Sequence, residues 1–330
     1  MSGAKPLLQL KHLSVAYRTN RGAVQAVQDV TLDVPAGTTV GLVGESGSGK
    51  STVAAAILRL LPGNAGITGG AISFDGTDLA DLSEGELNRM WRWRQLAMVF
   101  QKSLSALSPV HRVGDQLRDV LGLREPELSD PRRDERVVAA LYAVGLSERV
   151  LRAYPFELSG GMMQRTMIAL ALLCTPPFLI FDEATTALDV ITQAQILREI
   201  NRLKAEFNLT TIVISHDVGV INATADTVAV LYAGQLMEVA PRARFFAAPA
   251  HPYAQALVAS VPRLDGKGGR IAGIPGTLPD LQDPPPGCRF APRCPHATAR
   301  CAAAVPPLSP LAPDHAVRCV LYDQPSGATA

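Results

Sequence analysis

The hydrophobic pattern changes period along the chain. LLQLKHLSVAY from Leu7 and VTLDV from Val30 alternate roughly with period two, which predicts half-buried strands joined by turns. Pro35-Ala36-Gly37 marks a turn before TVGLV (39–43), an unbroken apolar run. AISFDG (71–76) reads as a strand entering a turn, and LAMVF (96–100) as a buried strand. FLIFD (178–182) and TIVIS (211–215) lack alternation, as parallel strands covered on both faces do. Helical stretches are expected from Thr52 to Leu61 and over ITQAQILREINRLKAE (191–206). Strand–helix–strand order predicts an α/β fold with a parallel core. Residues 102–160 break that pattern. They read as amphipathic helices interrupted at Pro109, Pro126 and Pro131, and RRDER (132–136) reads as a solvated helix start. Ser159-Gly160-Gly161 then opens a long apolar helix. After Ile271 the composition shifts, since 12 of the 25 prolines fall there, and a separate extension is expected.

Composition narrows the function classes. The 330 residues suffice for one large or two modest domains with a real core. A net charge of +1 gives no bulk attraction to nucleic acid or anionic membrane. The N-terminal segment lacks a long apolar region, so no secretory signal is expected. The most apolar stretch, Met167 to Phe181, is interrupted by Thr175, Pro176 and Pro177, and is too short and broken to span a membrane. The expected location is the cytoplasm, docked on a membrane the chain does not cross.

Two motifs carry chemistry. Gly44-Glu45-Ser46-Gly47-Ser48-Gly49-Lys50-Ser51 fits G-x-x-x-x-G-K-[ST], between a strand and a helix. Its glycines let backbone N–H groups turn inward around phosphate oxygens, and the helix start adds its positive end. Lys50 is placed to reach the β- and γ-phosphates, and Ser51, followed by Thr52, to ligate magnesium (Mg2+). The second motif is FLIFD-Glu183, an apolar strand ending in two carboxylates. Asp182 suits the magnesium shell, and Glu183 suits a general base for the attacking water.

Leu158-Ser159-Gly160-Gly161-Met162, followed by Gln164-Arg165, resembles the signature motif of ATP-binding-cassette (ABC) ATPases. Other positions then fall into order. Tyr17 matches the aromatic that stacks on adenine. Gln101 matches the glutamine at the junction of core and helical domain, a magnesium and γ-phosphate contact. Ala187-Leu188-Asp189 matches the loop after the acidic motif, and His216 the switch histidine. This resemblance covers about residues 7–255. It implies a P-loop NTPase of RecA-like core with an antiparallel β subdomain, an inserted helical subdomain at about 102–162, and a nucleotide-binding domain over 6–255. It also implies that Ser159, Gly160 and Gly161 complete the ATP site of a second cassette arranged head to tail, the pair closing on ATP and opening after hydrolysis.

The tail holds Cys288-x5-Cys294-x6-Cys301-x17-Cys319. Four thiols suit an iron–sulfur cluster. They also suit structural zinc, although the tight C-x2–4-C knuckles of zinc sites are missing. Reduced, unliganded cysteines are the third reading, disulfides being disfavoured in a cytosolic protein. Cys174 reads as an inert core residue. Gly287-Cys288-Arg289-Phe290-Ala291-Pro292-Arg293-Cys294-Pro295 resembles the C-terminal region of the dipeptide/oligopeptide/nickel importer branch of ABC ATPases. So do His251-Pro252-Tyr253-Ala254-Gln255-Ala256-Leu257, Ile274-Pro275-Gly276 and Ser108-Pro109-Val110. The branch carries a 4Fe-4S cluster on four such cysteines, which assigns 256–330 as an extension with a metal site. A metal staple is expected there because the tail has little apolar sequence of its own.

The resemblance implies an ATP-hydrolysing subunit of a binding-protein-dependent importer for di- or oligopeptides, at the cytoplasmic face of the inner membrane. Its expected partners are a second ABC ATPase subunit (usually a distinct homologue, giving a heterodimer), two integral membrane permease subunits, and an extracytoplasmic solute-binding protein. Import of nickel or another solute is the alternative. A cassette acting on nucleic acid or ribosomes is disfavoured by the single cassette and the absence of a basic patch. Four positions depart from the family: Ala184 where proline is usual, Met163 where the branch has arginine, and Lys102-Ser103 where it has an acidic residue and proline.

Overall fold

The computed structural model describes residues 5–100, 106–186, 188–260 and 273–322. In chain order the strands are β1 (Pro6–Thr19), β2 (Gly22–Pro35), β3 (Thr39–Val43), β4 (Ala65–Phe74), β5 (Thr77–Asp78), β6 (Leu96–Val99), β7 (Phe178–Asp182), β8 (Thr210–Ser215), β9 (Thr227–Tyr232), β10 (Gln235–Pro241), β11 (Ser309–Ala312) and β12 (His315–Val317). The α-helices are α1 (Lys50–Ile57), α2 (Glu84–Glu86), α3 (Val113–Arg124), α4 (Asp130–Ala143), α5 (Gly160–Leu172), α6 (Val190–Phe207), α7 (Val218–Thr224), α8 (Arg242–Ala247), α9 (Pro252–Ala259) and α10 (Ala299–Ala303). The chain forms two compact units. One comprises Met1–Pro35, Thr39–Leu79 and Ile214–Ala330, and the other Ala36–Thr38 and Ala80–Val213.

In the first unit, β2, β1, β4 and β5 form an antiparallel sheet. The large buried side chains of β1 are Leu8 and Leu10, then Leu13 and Val15, with Ala16 buried beside them, so the alternation slips by one residue. A register shift between Leu10 and Leu13, with His12 at φ 51°, absorbs the extra residue as a bulge. The parallel layer of this unit pairs β3 with β9. Every residue of β3 is buried, as its continuous apolar run predicts. β9 and β10 form a hairpin through Ala233 (φ 48°) and Gly234 (φ 83°), the two positive φ values of a two-residue turn matched to strand twist.

The tail is not the free-standing extension its composition suggested. β12 pairs with β10, and β11 with β12, so the proline-rich segment lengthens a sheet of the first unit. Phe290 is buried against the rings of Tyr232 and Tyr253. Ala250, Val317 and Cys319 form a small core with Leu311 packed against it. An existing sheet edge thus supplies the backbone partners and apolar cover that the tail's own sequence lacks.

In the second unit β6 runs parallel to β7, whose five residues are all buried. Helices α3 and α4 and two short 3-10 turns fill much of 102–162, where helices were expected. The RRDER run lies in the first half of α4, with Arg132 paired to Glu135 and Arg133 to Asp130 along the exposed face. Among the described residues no helix is long and apolar enough to cross a membrane.

Candidate functional site

The glycine-rich loop leaves the end of β3 and enters α1 at Lys50, two residues earlier than the hydrophobic pattern suggested. A Cβ on Gly44 would lie 2.0 Å from the carbonyl oxygen of Leu231, so no side chain fits there. Gly49 sits at φ 104°, and a Cβ on it would lie 2.5 Å from the carbonyl of Ala26. The Ser48 N–H donates to Glu45 O at 3.1 Å, which closes the turn, and Gly234 N–H donates to Ser48 O at 2.8 Å. Lys50 is buried. Its Nζ donates to the carbonyls of Gly44 and Glu45, each at 2.8 Å, and approaches Ser48 Oγ at 3.4 Å. The Lys50 Nζ therefore lies inside the loop's curve, among the loop's own oxygens. Ser46, Gly47 and Ser51 are exposed. Tyr17 Oη lies 3.3 Å from Thr52 Oγ1, which sets the β1 aromatic beside the first turn of α1.

Two acids end β7. Asp182 is buried. Glu183 follows in the left-handed region at φ 49°, an uncommon conformation for a side-chain-bearing residue and one that recurs at active sites. Thr186 Oγ1 donates to its carboxylate at 3.3 Å, and Thr186 N–H to its carbonyl at 3.0 Å, so the turn itself holds this geometry. Ala184, the departure from proline, is buried in that turn. His216 follows β8 at an exposed position, just before Asp217, which caps α7 by accepting from Gly219 N–H at 2.7 Å.

The Ser159-Gly160-Gly161 turn opens α5. Ser159 Oγ accepts from Met162 N–H at 3.3 Å, an N-cap. A Cβ on Gly161 would meet Thr192 Cγ2 at 2.7 Å. Thr192 is itself fixed, donating from Oγ1 to Asp189 at 2.6 Å, while Asp189 accepts from the N–H groups of Ile191 and Thr192 as the N-cap of α6. These hydrogen bonds, that from the Thr192 side chain foremost, hold the Asp189 carboxyl below its ordinary range. Asp189 thus has a structural task visible here: it seats the threonine against which Gly161 packs. Gln164 and Met163 are buried along α5, so Met163 serves the helix's packed face where the branch has a cation. Gln101, Lys102, Ser103 and Ala187 lie outside the described residues.

Known proteins are similar to this chain in sequence and in fold. Residues 27–186 match the model of the ABC transporter family, and residues 237–301 match that of the oligopeptide/dipeptide transporter C-terminal region. The chain is 46% identical to the Escherichia coli oligopeptide transport ATP-binding protein OppD, over 96% of this chain and 93% of that protein. It is 43% identical to the Bacillus subtilis dipeptide transport ATP-binding protein DppD, over 96% of this chain and 95% of that protein. The chain belongs to the ABC transporter ATPases. In fold it resembles the bacterial ABC transporter cassette MJ0796, solved as a dimer, with a TM-score of 0.64 and 28% identity over 71% of this chain and 98% of that one. The same cassette is known in a post-hydrolysis state bound to ADP and Pi, matched with a TM-score of 0.63. ATP hydrolysis in transport is the family's reaction.

The cysteine region of this ABC ATPase is less clear-cut than its sequence. Cys288, Cys294, Cys301 and Cys319 are free thiols and line one cavity together with His251 and His296. Gly287 is required beside them, since a Cβ on it would lie 2.1 Å from Cys301 O. Burial pushes the thiols of Cys288 and Cys294 up, and that of Cys319 up to about 11. The donor set fits an iron–sulfur cluster in kind and number. Among the described residues no group of three or more His, Cys, Asp or Glu is arranged to hold a metal ion. The four thiols converge on this one cavity.

Two residues that sequence reasoning left without a role contact Glu45 of the glycine-rich loop. Tyr253 Oη accepts from Glu45 N–H at 2.9 Å, and Arg293 Nη1 donates to the Glu45 carboxylate at 3.0 and 3.1 Å. Both lie in segments singled out for their resemblance to the importer branch, but nothing in their spacing pointed to the phosphate loop.

Proposed function

We propose that this chain is the ATP-hydrolysing subunit of an importer for di- or oligopeptides. Near-complete coverage of the OppD and DppD relatives, tail included, carries the reading. In it, Lys50 and the loop N–H groups hold the phosphates, with Tyr17 against the adenine. Ser51, Asp182 and Gln101 ligate magnesium. Glu183 polarises the attacking water, and His216 and Gln101 sense the γ-phosphate. Ser159, Gly160 and Gly161, with Gln164 behind them and Asp189 supporting them, complete the site of a second ABC ATPase subunit, a distinct homologue. Two permease subunits and an extracytoplasmic solute-binding protein supply the path and the cargo selectivity, and the chain docks at the cytoplasmic face of the inner membrane. A nickel or other small-solute cargo is the neighbouring reading.

The experiment is ATP-dependent uptake of labelled di- and oligopeptides by vesicles holding the reconstituted complex, with Glu183→Gln as the chemical control. The reading expects uptake in the wild type, and in the variant trapped ATP with hydrolysis lowered at least about a hundredfold. Undiminished turnover in the variant refutes the base assignment, and uptake of nickel but not peptide moves the cargo. The tail's share of the reading is a 4Fe-4S cluster on Cys288, Cys294, Cys301 and Cys319, which line one cavity. Iron and sulfide bound after anaerobic purification, and lost in Cys294→Ser, is the result expected. A metal-free wild type leaves the thiols unliganded.

A further inference from the structure

Glu45 is held at every polar group it has. Its N–H donates to Tyr253 Oη, and its carbonyl accepts from Lys50 Nζ at 2.8 Å. Its carboxylate accepts twice from Arg293. Arg293 is in turn fully engaged. Its Nε donates to Pro275 O at 2.6 Å, its Nη2 to Ile274 O at 3.2 Å, and its Nη1 also to Tyr232 Oη at 3.2 Å. The guanidinium lies over the rings of Tyr232 and Phe290, at 5.6 and 5.9 Å. Only 5% of the Arg293 side chain is exposed, against 29% for Glu45, so this pair is shielded from the screening that makes surface ion pairs weak. A second contact comes from the same segment: a Cβ on Gly47 would lie 3.6 Å from Leu278 Cδ1.

We propose that Arg293 is a positioning residue of the nucleotide site, holding the phosphate loop through Glu45. The inference rests on the loop being the ATP site. The loop binds phosphate with backbone N–H groups, so its affinity depends on those groups being aimed before the ligand arrives. Glu45 is the loop residue whose side chain turns away from the anion space. A planar, fully used guanidinium fixes that side chain, and with it the peptide plane that leads to Ser46. Lysine cannot reproduce this, because a point charge satisfies one acceptor direction and does not stack on the rings in the same plane. Without Arg293 the loop must be ordered by the nucleotide itself, and binding weakens.

The test is a titration of the full chain with a fluorescent ATP analogue and magnesium. Wild type is compared with Arg293→Ala, Arg293→Lys, Glu45→Gln and the Arg293→Ala/Glu45→Gln double variant, alongside thermal melts. Each single change is expected to weaken Kd roughly tenfold. The double variant should be no weaker than the worse single, the signature of one shared interaction. Lysine should restore only part of the loss, and steady-state hydrolysis should show a raised KM with kcat little changed. A merely structural tail contact predicts lowered melting temperatures with Kd within twofold of wild type, and that result overturns the proposal. Glu45→Gln keeps the test decisive should Arg293→Ala fold poorly, since it leaves Arg293 and its carbonyl partners in place. A wild type that does not bind the analogue would instead sink the reading of the loop itself.

Discussion

Two glycine-bearing turns open helices in this protein, and they are built differently. The phosphate loop before α1 buries Gly44, Ser48 and Lys50 and is tied from inside by its own lysine. Tyr253 and Arg293 tie it from outside. The signature turn before α5 leaves Ser159 and Gly160 exposed, and its visible supports are its own cap and the Gly161–Thr192 contact. The first turn holds its shape with groups from its own unit, as a site does that must bind an anion by itself. The second presents backbone to the outside from a rigid footing. That is the form expected of half a site, to be completed by another chain's nucleotide.

The sharpest way to break this contrast is to remove the inner tie. Lys50→Ala deletes the one charge inside the loop, so both nucleotide binding by the isolated chain and hydrolysis should fall by roughly a hundredfold or more. An isolated chain that still binds ATP normally would mean the loop is not self-sufficient. Ser159→Arg works from the other side. Loss of the cap costs the helix about 1 kcal/mol, and the bulky cation blocks the exposed face. Nucleotide affinity of the isolated chain should stay unchanged, while ATP-dependent pairing is lost and hydrolysis drops by roughly tenfold or more. Reduced affinity in the isolated chain would show that the signature turn serves its own loop.

Much of this was legible in the sequence, for identifiable reasons. Continuous apolar runs marked β3, β7 and β8 because strands covered on both faces need no alternation. The phosphate loop was legible because glycines at fixed spacing are demanded by close backbone approach, as at Gly44 against Leu231 O. The acid pair was legible from its place at a strand end, but the left-handed backbone of Glu183 was not, since glutamate has no preference for it. That the tail, expected as a separate extension, joins a sheet was not legible. Its strands β11 and β12 are short and carry prolines or polar residues, and what makes them strands is the edge of β10, more than seventy residues earlier for Glu238 paired with Val317. Arg293 escaped for the same reason: its partner Glu45 is remote in sequence, and one arginine beside a cysteine has no local pattern. The cysteines were legible as neighbours, and all four line one cavity, but spacing in a loop-rich tail reports which thiols can meet and not how far apart they stand.

The footing of the signature turn offers the smallest effect and the finest discrimination. Asp189 caps α6 and holds Thr192 against Gly161. Its carboxyl is lowered by the hydrogen bonds it accepts, so in the folded chain it stays charged to a lower pH than in the unfolded one. A depressed folded value means that the stabilisation is whole above the unfolded carboxylate pKa of about 3.9 and is lost as pH falls through the folded value. Asp189→Asn keeps a good cap but cannot titrate. Wild type and variant should therefore melt alike near neutral pH, with the wild type falling more steeply as pH drops below about 4. If the signature turn stands on this cap, wild-type amide protection at Gly161 and Met162 should fall along the same pH course, relative to the asparagine variant. Parallel melting curves for the two proteins would show that the cap is replaceable, and that the rigidity of the half-site comes from the packing of α5 alone.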